Sequence, residues 1–148
     1  MRAQEHHPAF LLRTGVVLAK DGGALGMMLP AFKAGLGGQI GDGKQWMPWI
    51  HLEDEVALTL FATENLDIRG PLNATAPWPA RNSDFTQTLA RILRRPAFFR
   101  LPATALRMLG EFSREVLESK RVLPCVATEH GFRFRFSELE PALKDLLA

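Results

Sequence analysis

A chain of 148 residues, 47% hydrophobic and 23% charged, is sized for one domain and composed as a globular protein rather than a disordered one. No apolar run reaches the ~20 residues that a membrane-spanning helix needs, and the polar start Met1-Arg2-Ala3-Gln4-Glu5-His6-His7-Pro8 lacks the apolar stretch of a secretory signal. The net charge is only +2, and Cys125 is the single cysteine, which excludes an internal disulfide and fits a reducing, cytoplasmic setting.

The first element in chain order is the run Ala9–Leu18, nearly unbroken in apolar character and closed by the turn Lys20-Asp21-Gly22-Gly23. A strand of that kind needs cover on both faces, as in a parallel sheet between helices. Ala24 to Ala34 follows as a helix, with Leu25, Met28, Leu29 and Phe32 at spacings of three and four. Glycines then interrupt regularity from Gly35 to Gly43, and Asp42-Gly43 reads as a hairpin turn. Trp49–Leu52 resumes as a strand. Glu53, Asp54 and Glu55 place negative charge in the first turn of a helix that runs to about Glu64, where Asp54 is expected to stabilise the N-terminus and His51 to satisfy a nearby backbone group.

Leu72–Thr75 is another short strand, and Pro77 and Pro79 mark a loop. Asn82 or Ser83 is expected to cap a helix carrying Phe85, Leu89, Ile92 and Leu93 on one face. Phe98–Leu101 suits a strand, and Ala105, Leu109, Phe112 and Val116 keep helical period after Pro102. Ser137-x-x-Glu140 has the form of a capping box that opens a last helix with Leu139, Leu143, Leu146 and Leu147 inward. Strands alternating with helices place the chain in the α/β class.

The chemistry-bearing motifs are thin. Gly38-Gln39-Ile40-Gly41-Asp42-Gly43-Lys44 imitates a phosphate loop, but Gln45 stands where magnesium needs Ser or Thr, and Trp46-Met47-Pro48 cannot open a helix toward phosphate. No Gly-x-Gly-x-x-Gly exists; Gly35-Leu36-Gly37 fails at Ile40. The histidines lack partners at zinc-ligand spacing, so no metal is expected, and Cys125 reads as a small packing residue. Residues 81–135 hold eleven Lys/Arg against five Asp/Glu, yet scattered beside glutamates, as on a solvated face rather than a nucleic-acid interface. There is no tyrosine.

Several strings together resemble one family. Leu12-Arg13-Thr14-Gly15-Val16-Val17-Leu18 with Gly22-Gly23-Ala24-Leu25 is similar to the strand and loop after the catalytic helix of extended short-chain dehydrogenases/reductases. Asp42 to Asp54 resembles their turn and I-H-x-x-D segment, Gly70 to Pro77 their Asn-bearing strand, and Gly131 to Leu143 the ending of an NAD(P)-dependent epimerase/dehydratase-like branch, known as sugar-nucleotide epimerases or cell-division-inhibitor homologues. The resemblance implies an α/β fold, the C-terminal substrate-side portion of an extended, Rossmann-like short-chain dehydrogenase, with few, mostly parallel strands and a helix-rich tail. Residues 1–95 would hold the substrate-side half with its last sheet strands, and 96–148 a helical extension packed on it. The N-terminal Rossmann half, which in the family binds NAD or NADP and supplies Tyr-x-x-x-Lys, is absent.

The resemblance therefore implies a substrate-binding half of an oxidoreductase that binds no cofactor alone and is inactive alone. Family members that use nucleotide sugars carry an Asn where Val16 stands and an Arg where Met47 stands, so a less charged small molecule is expected here. Met27, Met28, Trp46, Met47, Trp49 and His51 are the candidate substrate wall, or else plain core; Arg13 and Lys20 are the candidates beside a cofactor. The alternative is a non-enzymatic interaction module that self-associates through residues 9–18 or pairs with a separate cofactor-binding chain, with neither nucleic acid nor membrane as partner.

Overall fold

A computed structural model of the chain describes residues 9–102, 104, 114 and 117–148. The run expected as one strand is two, β1 (Phe10–Thr14) and β2 (Val16–Ala19), parted at Gly15. After them come α1 (Gly23–Lys33), β3 (Gly38–Ile40), β4 (Trp46–Met47), β5 (Trp49–His51), α2 (Leu52–Glu64) and β6 (Gly70–Ala74). β7 (Ala80–Arg81), α3 (Asn82–Leu93), β8 (Phe99–Leu101), α4 (Cys125–Glu129) and α5 (Leu139–Leu147) follow. The helix expected after Pro102 lies largely outside the described residues.

Pairing explains why Gly15 divides the first strand. β1 runs parallel to β6, with Arg13 opposite Asn73 and Thr14 opposite Ala74, whereas β2 runs parallel to β5, with Val16 opposite Trp49. The Gly15 N–H still donates to the Ala74 carbonyl at 3.0 Å, and the next one, of Val16, donates to Pro48 at 2.8 Å. On the far side, the Ala76 N–H donates to the Trp49 carbonyl at 2.6 Å. The ladder thus opens like a fork, and β5 enters between its prongs. A side chain at position 15 would put its Cβ 2.8 Å from the Pro48 oxygen and 3.0 Å from Thr75 Cγ2, so only glycine fits the crotch.

Beyond the fork the strands are covered on both faces. Val16, Leu18 and Trp49 join a core cluster with Leu25 and Phe32 of α1, Phe85 and Leu89 of α3, and Leu143 of α5. Val17 and Ile50 point the other way, into a second cluster with Leu58 of α2, Leu72 of β6 and Ala127 of α4. Alternating side chains that are apolar in both directions produce the unbroken hydrophobic run, as in buried parallel strands. β1 differs: it pairs on one side among the described residues, and Leu11 is 60% exposed.

Other local expectations need correction. β3 pairs with β8 in parallel and β4 with β7 antiparallel, so the glycine-rich segment is a turn between two separate pairings and not a hairpin. Its Asp42 carboxylate accepts from the Lys44 N–H at 3.0 Å. Asn82 caps nothing: its side chain accepts from the Ile40 N–H at 2.7 Å, and the carboxylate of Asp84 accepts from Arg81. Nor does Glu140 close a capping box; it pairs with Arg91 and Lys144, at 2.7 and 2.8 Å. Because β8 is bound to β3, the segment after residue 95 adds a strand to the sheet region as well as helices.

Replacing Gly15 by Ala should cost about 2 kcal/mol of stability through overpacking against backbone. Gly22, where an added Cβ meets nothing within 4 Å, is the control. Urea denaturation of G15A and G22A checks this: a large loss is expected only in the first.

Candidate functional site

The fork borders a half-open cavity of about 760 Å³. Its floor is the crotch itself, Arg13, Thr14, Gly15 and Val16 on one prong, Asn73 and Thr75 on the other, and Pro48 between them. Its remaining wall is the strap Lys120–Leu123 with Cys125 at the start of α4. The cavity therefore sits at the carboxyl ends of the parallel strands β1 and β6, where strand neighbours change. Open α/β sheets bind ligands at such a place.

The strap is held on both flanks. Ser119 Oγ accepts from the Trp46 N–H at 3.1 Å, and Asn73 Nδ2 donates to the Leu123 carbonyl at 3.1 Å. The Arg121 guanidinium lies 5.4 Å above the Trp46 ring, which Arg81 also covers at 4.8 Å. Lys120 pairs with Glu118. The lining thus includes the cations Arg13, Lys120 and Arg121 and no carboxylate. Thr75 is 2% exposed, and its hydroxyl has no hydrogen-bond partner among the described residues.

Behind Thr14 lies a second polar feature. The Thr14 hydroxyl donates to Glu55 Oε1 at 2.9 Å, while Glu55 Oε2 is buried with no partner among the described residues. Burial pushes the Glu55 carboxyl above the usual glutamate range, and the Thr14 hydrogen bond pulls it part of the way back.

Of the residues expected near a ligand, Arg13 lines the cavity and the others do not. Met47, Trp49 and His51 are buried in the fold, Met28 packs partly against the first core cluster, and Met27 is exposed on α1. Trp46 is half-buried beneath Arg121, and Lys20 donates to the main-chain oxygen of Ala148 at 3.1 Å. Lys120, Arg121, Asn73 and Thr75 were not among the expected contacts. Asn73 and Thr75 lie on the segment that resembles the family's Asn-bearing strand, whereas Lys120 and Arg121 have as their sequence signal only a basic pair before Pro124, whose placement depends on the strap's two anchors.

His51 and Asp54 form a clasp instead. The His51 Nδ1 accepts from the Glu53 N–H at 3.1 Å and caps α2, as expected of a residue serving the backbone. With Nδ1 an acceptor, the ring proton sits on Nε2, 3.2 Å from Asp145 Oδ2 in α5. The imidazole also stacks on Phe136 at 4.0 Å. Asp54 stands in the first turn of α2, as expected, and its two oxygens also accept from the Arg135 and Phe136 N–H groups at 2.8 and 2.9 Å, while Glu53 pairs with the Arg135 guanidinium. The I-H-x-x-D segment thus ties the C-terminal segment to β5 and α2. No group of three or more His, Cys, Asp or Glu among the described residues is placed to hold a metal, and no helix there is long and apolar enough to cross a membrane.

Comparison with known proteins agrees with this architecture. Residues 101–146 match a family model described as a domain of unknown function (DUF1731). The chain is 42% identical over 148 residues to the Arabidopsis thaliana epimerase family protein SDR39U1 homolog, chloroplastic, covering 99% of this chain and 43% of that protein. It is 44% identical over 135 residues to epimerase family protein ML0860 of Mycobacterium leprae, covering 90% of this chain and 44% of that one. The crystal structure of human epimerase family protein SDR39U1 (isoform2) with NADPH superposes with a TM-score of 0.87 at 38% identity, over 94% of this chain and 48% of that one. A UDP-N-acetylglucosamine 4-epimerase from Bacillus cereus, 10% identical, shares the fold at a TM-score of 0.71, over 97% of this chain and 47% of that one. The chain spans a little under half the length of the curated relatives described here.

Two outcomes are expected. Asp54→Ala leaves two backbone N–H groups without their acceptor, so it should cost about 2–3 kcal/mol and expose the amides of Arg135 and Phe136 to hydrogen exchange. Glu55 has a folded pKa raised above its unfolded one, so its ionisation opposes folding. Its contribution to stability should grow as pH falls through the folded pKa and level off below the unfolded one. Thr14→Val should raise the Glu55 pKa further, as read by a carboxyl NMR titration.

Proposed function

For a chain with the sequence and fold of the C-terminal part of an epimerase-family, extended short-chain dehydrogenase, we propose the role of substrate-binding half of an NAD(P)-dependent epimerase/dehydratase-like oxidoreductase. The observation that carries this reading is the cavity at the fork, set at the carboxyl ends of β1 and β6 beside a strand, β1, whose second edge is unpaired among the described residues. A parallel strand from a dinucleotide-binding half completes that edge. Such a half brings a cofactor and a proton-transfer residue to the mouth of the cavity.

The residues present do not fit a dinucleotide by themselves. The chain has no Gly-x-Gly-x-x-Gly turn to bring backbone amides to a pyrophosphate, and no tyrosine to act as the acid/base. What this chain supplies is shape and position. Gly15 keeps the crotch open, Arg13 and Thr14 present polar groups at the strand end, and the strap closes the opposite wall. NADPH is the coenzyme in the human relative's structure, and NADP or NAD is the proposed coenzyme of the completed protein. A second reading rests on the same unpaired edge: a second copy of the chain, added along β1, would cover Leu11 without creating any catalytic capacity.

Calorimetry with NADPH tests the proposal. The isolated chain should show no saturable binding below about 100 μM, and the chain joined behind the N-terminal half of the human relative should bind. A low-micromolar dissociation constant for the isolated chain, or no binding by the joined protein, would refute it. If the second reading is right, light scattering of the isolated chain reports a dimer, and an edge-blocking Leu11→Pro returns it to a monomer.

A further inference from the structure

Resting on the reading of the fork cavity as the substrate site, we infer that the strap Ser119–Leu123 is a hinged gate. It turns about Leu123 and Pro124 to widen the cavity, and Asn73 and Ser119 are the positioning residues that latch it shut. The strap is held unlike the rest of the cavity wall. The floor strands β1, β2 and β6 are tied by main-chain ladders. By contrast, no main-chain N–H or carbonyl of residues 119–123 pairs with another main-chain group among the described residues. Ser119, Lys120, Arg121 and Leu123 are exposed and Val122 is half-buried, so little apolar surface is uncovered when the strap lifts. A segment with few buried contacts and solvent-facing backbone opens locally at far less cost than the whole fold.

The hinge end is firm. Pro124 is buried, its carbonyl accepts from the Thr128 N–H and hydroxyl at 3.0 and 2.9 Å, and Ala127 is sealed in the second core cluster. Motion is therefore confined to the residues before α4, as in lids whose turning points are a few positions beside a rigid element. Each latch is a single hydrogen bond from a different arm of the fork. Asn73, in β6, donates to the Leu123 carbonyl and so fixes the peptide at which the strap has to turn. Trp46, in β4, donates its N–H to Ser119 Oγ at the far end. Two such bonds, each exchangeable for water, make a fastening that is closed at rest and readily undone. Charge loads it further: Arg13 on the floor and Arg121 on the strap line one cavity with no carboxylate in the lining, and like charges weaken the closed position.

Amide hydrogen exchange on the full chain tests the gate, because the Trp46 N–H is held by Ser119 and is released when the strap lifts. In the wild-type chain the Trp46 amide should exchange by local opening, at a rate that low urea leaves unchanged. The Val16 amide, bonded to the Pro48 carbonyl beneath the fork, should instead follow global unfolding and accelerate with urea. Asn73→Leu keeps the size of the side chain and removes the donor at the hinge. It should speed exchange at Trp46 about fivefold, although its own bond is to the opposite end of the strap, and leave the ratio of Trp46 to Val16 raised. Thr63→Ala, which removes an exposed hydrogen bond on α2, should leave Trp46 exchange as it was. Trp46 exchanging only through global unfolding would overturn the inference, and that comparison needs no variant to fold. So would an Asn73→Leu chain in which Trp46 is unchanged, or in which Trp46 and Val16 accelerate alike, since the residue then supports the fold and not a moving strap. Either result makes the strap a fixed wall and leaves the coenzyme experiment above free to succeed or fail by itself.

Discussion

One transfer of hydrogen bonds, at Gly15, sets the geometry of everything around the cavity. Two consecutive N–H groups donate to different strands: that of Gly15 to β6, that of Val16 to the residue leading into β5. Because backbone donors near the interior must be paired, β5 has to be present for the chain to turn away from β6 at all. The opening between the prongs is thus a by-product of complete pairing, and it needs no strained backbone. It also explains why polar residues gather there: Arg13, Thr14 and Asn73 close the paired stretch of β1 and β6, and Thr75 follows directly where the strands part.

The clasp made by His51 and Asp54 keeps that arrangement closed from the other side. Asp54 is buried, and both its oxygens accept backbone N–H groups from the C-terminal segment, so its polar atoms keep partners in place of water. His51 does three things with one ring: it caps α2, donates toward Asp145 and stacks on Phe136. Residues distant in sequence are thereby fixed to the strand that splits the fork. Stability of the C-terminal part and definition of the cavity are consequently linked through β5.

Much of the fold was legible because its signals are local. The both-ways apolar pattern of Val16, Val17 and Leu18 announced a strand covered on two faces, and Glu53 to Glu55 announced a helix start. The division at Gly15 was not legible, since the run reads as continuous until Pro48 and Thr75 are known to crowd that residue. Asn82 had the sequence signature of a helix cap, but the Ile40 N–H, 42 residues away, claimed its side chain, and the oxygens of Asp54, read as first-turn charge, accept from N–H groups 81 and 82 residues away that no local pattern announces. Trp49 and Met47 were open to two readings, ligand wall or plain core, because large apolar side chains look alike in both until burial is known. The strap was hardest of all: Lys120 and Arg121 carry no periodicity, and only their anchors to Trp46 and Asn73 bring them to the cavity.

The stacking of Arg81 and Arg121 on Trp46 has an optical consequence. Of the three tryptophans, Trp49 is sealed in the interior and bonded to the Trp78 carbonyl, and Trp78 stands in solvent. Trp46 alone carries two guanidiniums against its indole, and nearby cations shift the emission of that chromophore. Any event that draws Arg121 away from the ring alters the local field the excited state senses. The molecule thus contains its own fluorophore for watching the strap, with no dye to attach.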